Sequence, residues 1–248
     1  MNLPFSLIPR AAVDLKDMVF RIKDGYGYTG AVNNALGYAM GATTMVVDGF
    51  TVALHVFDQF NVEGQTTLYT ITAHSETLGN TTSITFTPAL TAGVSDNDNV
   101  VILPHSLDIK IGEGNLTYSE KRPRTYVKNR GELDTVKDAD EEPMEVKFDF
   151  VWEFLKSDSN EVPTIEEALK QSGNASFWVS SSDDACEPYA VDIEIFYDPP
   201  CSDDKNERIT LPDFRYESLD HDARNSSVAC SGKCNATDAV HERTTATY

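Results

Sequence analysis

Met144-Glu145-Val146-Lys147-Phe148-Asp149-Phe150-Val151-Trp152-Glu153-Phe154 decides the fold class. Met144, Val146, Phe148, Phe150, Trp152 and Phe154 alternate with Glu145, Lys147, Asp149, Val151 and Glu153. A period of two over this length describes a long β-strand with one apolar and one charged face. Tyr189, Val191, Ile193, Ile195 and Tyr197 repeat the pattern against Asp192, Glu194 and Phe196. Between them, Thr164-Ile165-Glu166-Glu167-Ala168-Leu169-Lys170 reads as a short helix. Thr164 and Glu167 have capping-box spacing, and Gly173 follows the end. Phe177 to Ser181, Arg208 to Leu211 and Ser227 to Cys234 read as further strands. One helix against strongly amphipathic strands reads as an α+β or β-barrel-plus-helix domain, and the fold class expected for the whole chain is mainly β, of sandwich or barrel type with one short helix.

Working outward, the charge distribution marks a boundary. Residues 26–104 contain no Lys or Arg, six acids and fourteen threonines. Runs such as TLYTIT (67–72) and SITFT (83–87) alternate, and Asp48-Gly49, Glu63-Gly64 and Gly79-Asn80 supply turns. Many short strands at this spacing indicate a second, small unit of sandwich or barrel type, a sandwich being expected, with 31–40 as a short helix. Met18 to Lys23 and Leu107 to Ile111 also alternate. They read as two arms of a hairpin that carries the insert, a site where insertion is tolerated. The expected organisation is a core domain of residues 1–25 and 105–248, interrupted by a β domain over 26–104.

The chain has 20 basic and 40 acidic residues, a net charge of −20. Affinity for phosphate backbones comes mainly from cationic contacts, so a chain this acidic is expected to be a poor general binder of nucleic acid. No run reaches the ~18 apolar residues of a membrane helix. The opening has no secretory pattern, so synthesis in the cytoplasm is expected. Cys230 and Cys234 in C-S-G-K-C form half a metal motif at most, and reduced structural thiols are expected.

Enzyme signals are weak. Gly25-Tyr26-Gly27-Tyr28-Thr29-Gly30 matches Gly-x-Gly-x-x-Gly, with Asp48 near the spacing of a ribose-binding acid. Short Thr-rich strands follow it instead of strand–helix alternation, so the glycines read as a connector. Asp220-His221-Asp222 has no nucleophile motif beside it. No catalytic residue, cofactor or metal is expected.

One charge pattern is ordered. Residues 121–130 carry Lys121, Arg122, Arg124, Lys128 and Arg130 with no acid, and 131–149 carry eight acids against two lysines. The segment 121–142 reads as a loop without strand signal that would order on assembly. A basic block beside an acidic block suits head-to-tail contact between identical subunits.

Leu107 to Glu120 (LDIKIGEGNLTYSE), Arg130 to Val136 (RGELDTV), Glu142 to Trp152, and Leu211 to Glu217 (LPDFRYE) together resemble tail tube proteins of long-tailed bacteriophages. The resemblance covers about residues 14–25 and 105–240. The stretch 26–104 lies outside it and is similar to immunoglobulin-like decoration domains of phage structural proteins. The resemblance implies a virion structural subunit, a late protein made in the host cytoplasm. It implies hexameric rings stacked into a tube that conducts DNA on ejection, with tail terminator and tail tip proteins as partners and the inserted domain outside. In that setting Lys121, Arg122, Arg124, Tyr126, Val127, Lys128, Leu133 and Val136 would carry ring stacking. Glu145, Asp149, Glu153, Asp192 and Glu194 would line an acidic lumen that repels phosphates. The alternative reading is a carbohydrate- or receptor-binding virion β protein that uses residues 26–104.

Overall fold

The computed structural model describes residues 18–77, 81–111, 115–152, 162–197 and 206–244. The chain divides into two compact units. The first holds residues up to Ile22, Leu107–Ala175 and Ala190–Tyr248, and the second holds Lys23–Ser106 and Ser176–Tyr189. The second unit therefore takes in residues 176–189, which the sequence reading left in the core domain.

The first unit is built on an eight-stranded sheet. Its strands are β1 (Met18–Lys23), β8 (Ser106–Asp108), β9 (Leu116–Ser119), β12 (Met144–Val151), β13 (Val191–Tyr197), β14 (Asn206–Asp222), β15 (Ser227–Cys234) and β16 (Val240–Thr244). The order is β8-β1-β13-β14-β15-β12-β9, with β16 on β14. β8 and β1 are neighbours, as the two flanking arms were expected to be.

β12 alternates as its sequence predicts. Met144, Val146, Phe148 and Phe150 are buried, while Lys147, Asp149 and Val151 are exposed. β13 does not alternate. It lies between β1 and β14, and Val191 and Ile193 to Phe196 are all buried, so both of its faces are covered. Phe196, in the register of Asp192 and Glu194, was the sequence signal for this. β14 runs seventeen residues, far beyond the four expected, and serves β13, β15 and β16.

The helix α1 spans Ile165–Lys170 and buries Ile165, Ala168 and Leu169. Its capping box is formed: Glu167 N donates to Thr164 Oγ1 at 3.2 Å, and Thr164 N donates to Glu167 Oε2 at 2.9 Å. The left-handed residue that ends it is Gln171, ahead of Gly173. Among the described residues no helix is long and apolar enough to cross a membrane.

The second unit is a closed six-stranded barrel, in the order β2-β3-β6-β5-β4-β7. The strands are β2 (Tyr28–Val32), β3 (Thr44–Asp48), β4 (Gln59–Val62), β5 (Tyr69–Thr77), β6 (Thr81–Thr87) and β7 (Asn99–Ile102). This corrects the expected sandwich. Pairing of β2 with β7 joins the first and last strands, which leaves no open edge. The expected helix over 31–40 is also absent: β2 ends at Val32 and turns follow, with Gly37 at φ 64°. Alternate residues fill the barrel. Phe60, Tyr69 and Phe86 lie with ring centroids 5.4–5.5 Å apart, among Val32, Val47, Ile71, Ile84, Val100 and Ile102.

Replacing Thr164 by Ala removes the acceptor for the Glu167 amide. It should cost about 1 kcal/mol of stability, read as a lowered urea midpoint at unchanged slope.

Candidate functional site

Residues 121–142 are not a loop. β10 (Arg124–Asn129) and β11 (Glu132–Asp138) form a two-stranded antiparallel hairpin. Arg130 and Gly131 make its tip with φ of 51° and 92°, the positive pair that a two-residue type I′ turn requires. The sequence reading missed the strands because both faces are exposed along their whole length. Alternation records one-sided burial, and here there is none. Arg130-Gly131 was the available signal.

The register places Tyr126 opposite Val136, and Lys128 opposite Leu133 after a bulge. Tyr126, Leu133 and Val136 thus share one face, at 59%, 69% and 57% exposure. Val127 is opposite Thr135 on the other face. The basic residues divide in two. Lys121 pairs with Glu145 at 2.9 Å and Glu142 at 3.4 Å, and Arg122 pairs with Asp238 at 2.8 Å. Arg124 pairs with Asp138 across the hairpin. These contacts fix the base of the ribbon, and Lys128 and Arg130 lie at its end.

The acids expected to line one surface do not form one set. Glu145 and Asp149 are on the outward face of β12, with Glu145 engaged by Lys121. The Lys121 hydrogen bond and charge hold the Glu145 carboxyl below its usual range. Asp192 accepts a bond from Asp213 N at 3.0 Å. Glu194 is 4% exposed and paired with Arg208 at 3.0 Å, because β13 is covered on both sides. Glu194 is therefore a neutralised interior group and not part of an open acidic face. Glu153 lies outside the described residues.

The barrel unit contains a buried charge cluster that the sequence reading did not find. His105 Nδ1 is 2.8 Å from Asp24 Oδ2, and Nε2 is 2.8 Å from Asp58 Oδ1. An ionised carboxylate can only accept, so with a carboxylate on each side both ring nitrogens donate and the ring is held as an imidazolium. Burial alone would lower the His105 pKa. The hydrogen bonds and charges of Asp24 and Asp58 outweigh it and raise the pKa to about 9. Asp24 also accepts from the backbone N–H groups of Tyr26, His105 and Val179 at 2.8–3.1 Å. Asp58 accepts from His55 N at 2.8 Å, and the Tyr26 hydroxyl lies 3.2 Å from it. Such bonds satisfy the lone pairs that make buried ions costly.

The glycine motif serves this packing. A Cβ on Gly25 would collide with the Ser180 carbonyl. One on Gly30 would come within 2.5 Å of Asp48 O and the Phe50 ring. One on Gly27 would meet nothing nearer than 3.7 Å. Close approach of the protein's own chain explains the outer two glycines.

His221 lies 3.6 Å from Glu166 and edge-on to Trp152, 5.3 Å between centroids. Cys230 and Cys234 are four residues apart on one strand, roughly 13 Å at about 3.3 Å per residue, too far to share a metal ion. Burial pushes both thiols up to about 12. Among the described residues no group of three or more His, Cys, Asp or Glu is placed to hold a metal ion. The chain matches no protein-family model, no curated protein and no solved structure.

Gly30→Ala should destabilise the barrel by about 1–3 kcal/mol through overpacking, while Gly27→Ala should be close to neutral. Equilibrium urea unfolding of the two variants separates the packing role from a connector role, which predicts no difference.

Proposed function

We propose that this protein is a structural subunit of a bacteriophage tail tube, assembling with its own copies as stacked rings, six to a ring, around a channel for DNA. The observation that carries the reading is the hairpin β10–β11. A two-stranded ribbon exposed on both faces is marginal in water on its own. It also presents Tyr126, Leu133 and Val136 together, so a partner surface is the natural cover for it. Apolar burial supplies most of the affinity of such a contact, and exposed charge pairs add only ~0–1 kcal/mol each. Lys128 and Arg130 near the tip meet an otherwise acidic chain in each neighbour, which favours register and rate. The same acidity, net −20, keeps a DNA channel from binding phosphate. The phage resemblance of residues 107–120, 130–136, 142–152 and 211–217 supplies the tail setting, with terminator and tip proteins at the tube's ends.

A second reading has its own observation. Leu36, Met40 and Phe57 on the barrel unit are 96%, 72% and 50% exposed, which suits a receptor- or carbohydrate-binding surface.

The test is sedimentation velocity over a concentration series, comparing the wild type with a variant carrying Tyr126→Ser, Leu133→Ser and Val136→Ser. The wild type should form fast-sedimenting species. The variant should stay small while both units keep their fold, read as an unchanged thermal midpoint, since these side chains are more than half exposed and belong to neither buried core. Equal assembly of both proteins would remove the hairpin as the joining element.

A further inference from the structure

Residues 176–189 reach the barrel unit from a distant part of the sequence, and no strand or helix lies within them. Their attachment converges on His105. Val179 N donates to Asp24 Oδ2 at 3.1 Å, and Gly25 N donates to Val179 O at 3.0 Å. Phe177 packs edge-on against the His105 ring, 5.0 Å between centroids, and stacks on His55 at 4.5 Å. Trp178, 2% exposed, stacks on His105 at 5.9 Å. The barrel strands have separate support: a closed ladder and an apolar interior of their own.

We propose that Asp24, His105 and Asp58 form a proton-held clasp. It keeps residues 176–189 on the barrel unit, and the segment opens by itself, ahead of the barrel, when the imidazolium is lost. The chemistry follows from donor count. A neutral imidazole has one N–H, so one ring nitrogen would turn a lone pair toward a carboxylate oxygen 2.8 Å away. The contact then changes from attraction to repulsion in a site with little water. Trp178, stacked on the charged ring, loses a cation–π attraction as well.

The groups that face His105 are few. Asp24 and Tyr26 come from the stretch before β2, and His55 and Asp58 come from the turn before β4. Phe177 and Trp178 come from the segment itself. Burial lowers the pKa of His55, so that ring does not replace the lost charge as the pH rises. Burial and the neighbouring Asp58 raise the Tyr26 pKa, so the phenol stays neutral. The direction of the pH effect is fixed by His105. Its folded pKa of about 9 lies above the ordinary 6.5. The clasp's contribution is fully present below 6.5 and is lost as the pH rises through 9.

The experiment uses the full chain with Trp152→Phe, which leaves Trp178 as the sole tryptophan. Its emission should stay blue-shifted up to neutral pH and move to the red with a midpoint near 9. At neutral pH, His105→Gln should raise hydrogen exchange in residues 176–189 by at least about tenfold, with β5 and β6 as protected as in the wild type. Gly25→Ala should produce the same local opening without touching a charge, because its Cβ displaces Ser180. The proposal is overturned if Trp178 emission is flat to about pH 10. It is also overturned if segment and barrel strands lose protection together in either variant, or if both variants exchange like the wild type.

Discussion

A buried cation must be met on every side that it faces, and in this chain that requirement draws the two ends of the barrel stretch and residues 176–189 to one point. Asp24 precedes the first barrel strand and His105 follows the last, 81 positions apart, with Asp58 between them. The cluster brings both ends of the insert to one point, where Asp24 N also donates to His105 O at 3.1 Å. Removing one member of such a set leaves charge without a partner, which is far more costly than never having buried the pair. The composition leaves histidine as the natural choice of cation. Residues 26–104 contain no Lys or Arg, so Asp58, 1% exposed, finds no permanent positive charge within its own stretch.

The first unit follows a different rule, that of one-sided burial. β12 and β15 pair in register from Met144–Cys234 to Val151–Ser227, and their alternate residues enter the same core. β14 extends the ladder and carries β16 on its first five residues. The hairpin β10–β11 departs from this rule. All of its residues are exposed, so its register is held by cross-strand pairs such as Tyr126–Val136 and Arg124–Asp138 and by the positive-φ turn. Lys121 and Arg122 fasten its near end to Glu145 and Asp238. The hairpin thus keeps its register through local contacts while burying little of itself.

How much of this was legible depended on whether a feature is local. The alternation of 144–150, the capping box at Thr164 and the strand at 227–234 are written in neighbouring residues, and each was readable. Barrel closure was not, because it rests on β2 meeting β7 some seventy positions later. The hairpin was invisible to a method that reads burial from alternation, and only Arg130-Gly131 hinted at it. Phe177 to Ser181 looked like a strand because it is apolar. Its rings are apolar to surround His105, not to enter a ladder. The charge cluster combines residues with no motif between them. Its one trace was the Asp and His that flank a stretch empty of Lys and Arg.

The central claim is that copies of this chain build a tube. Electron micrographs of the purified full-length protein over rising concentration test it most directly. The account predicts hollow rods of uniform diameter with a regular axial repeat, lengthening as concentration increases. Single particles of fixed small size at every concentration would contradict it.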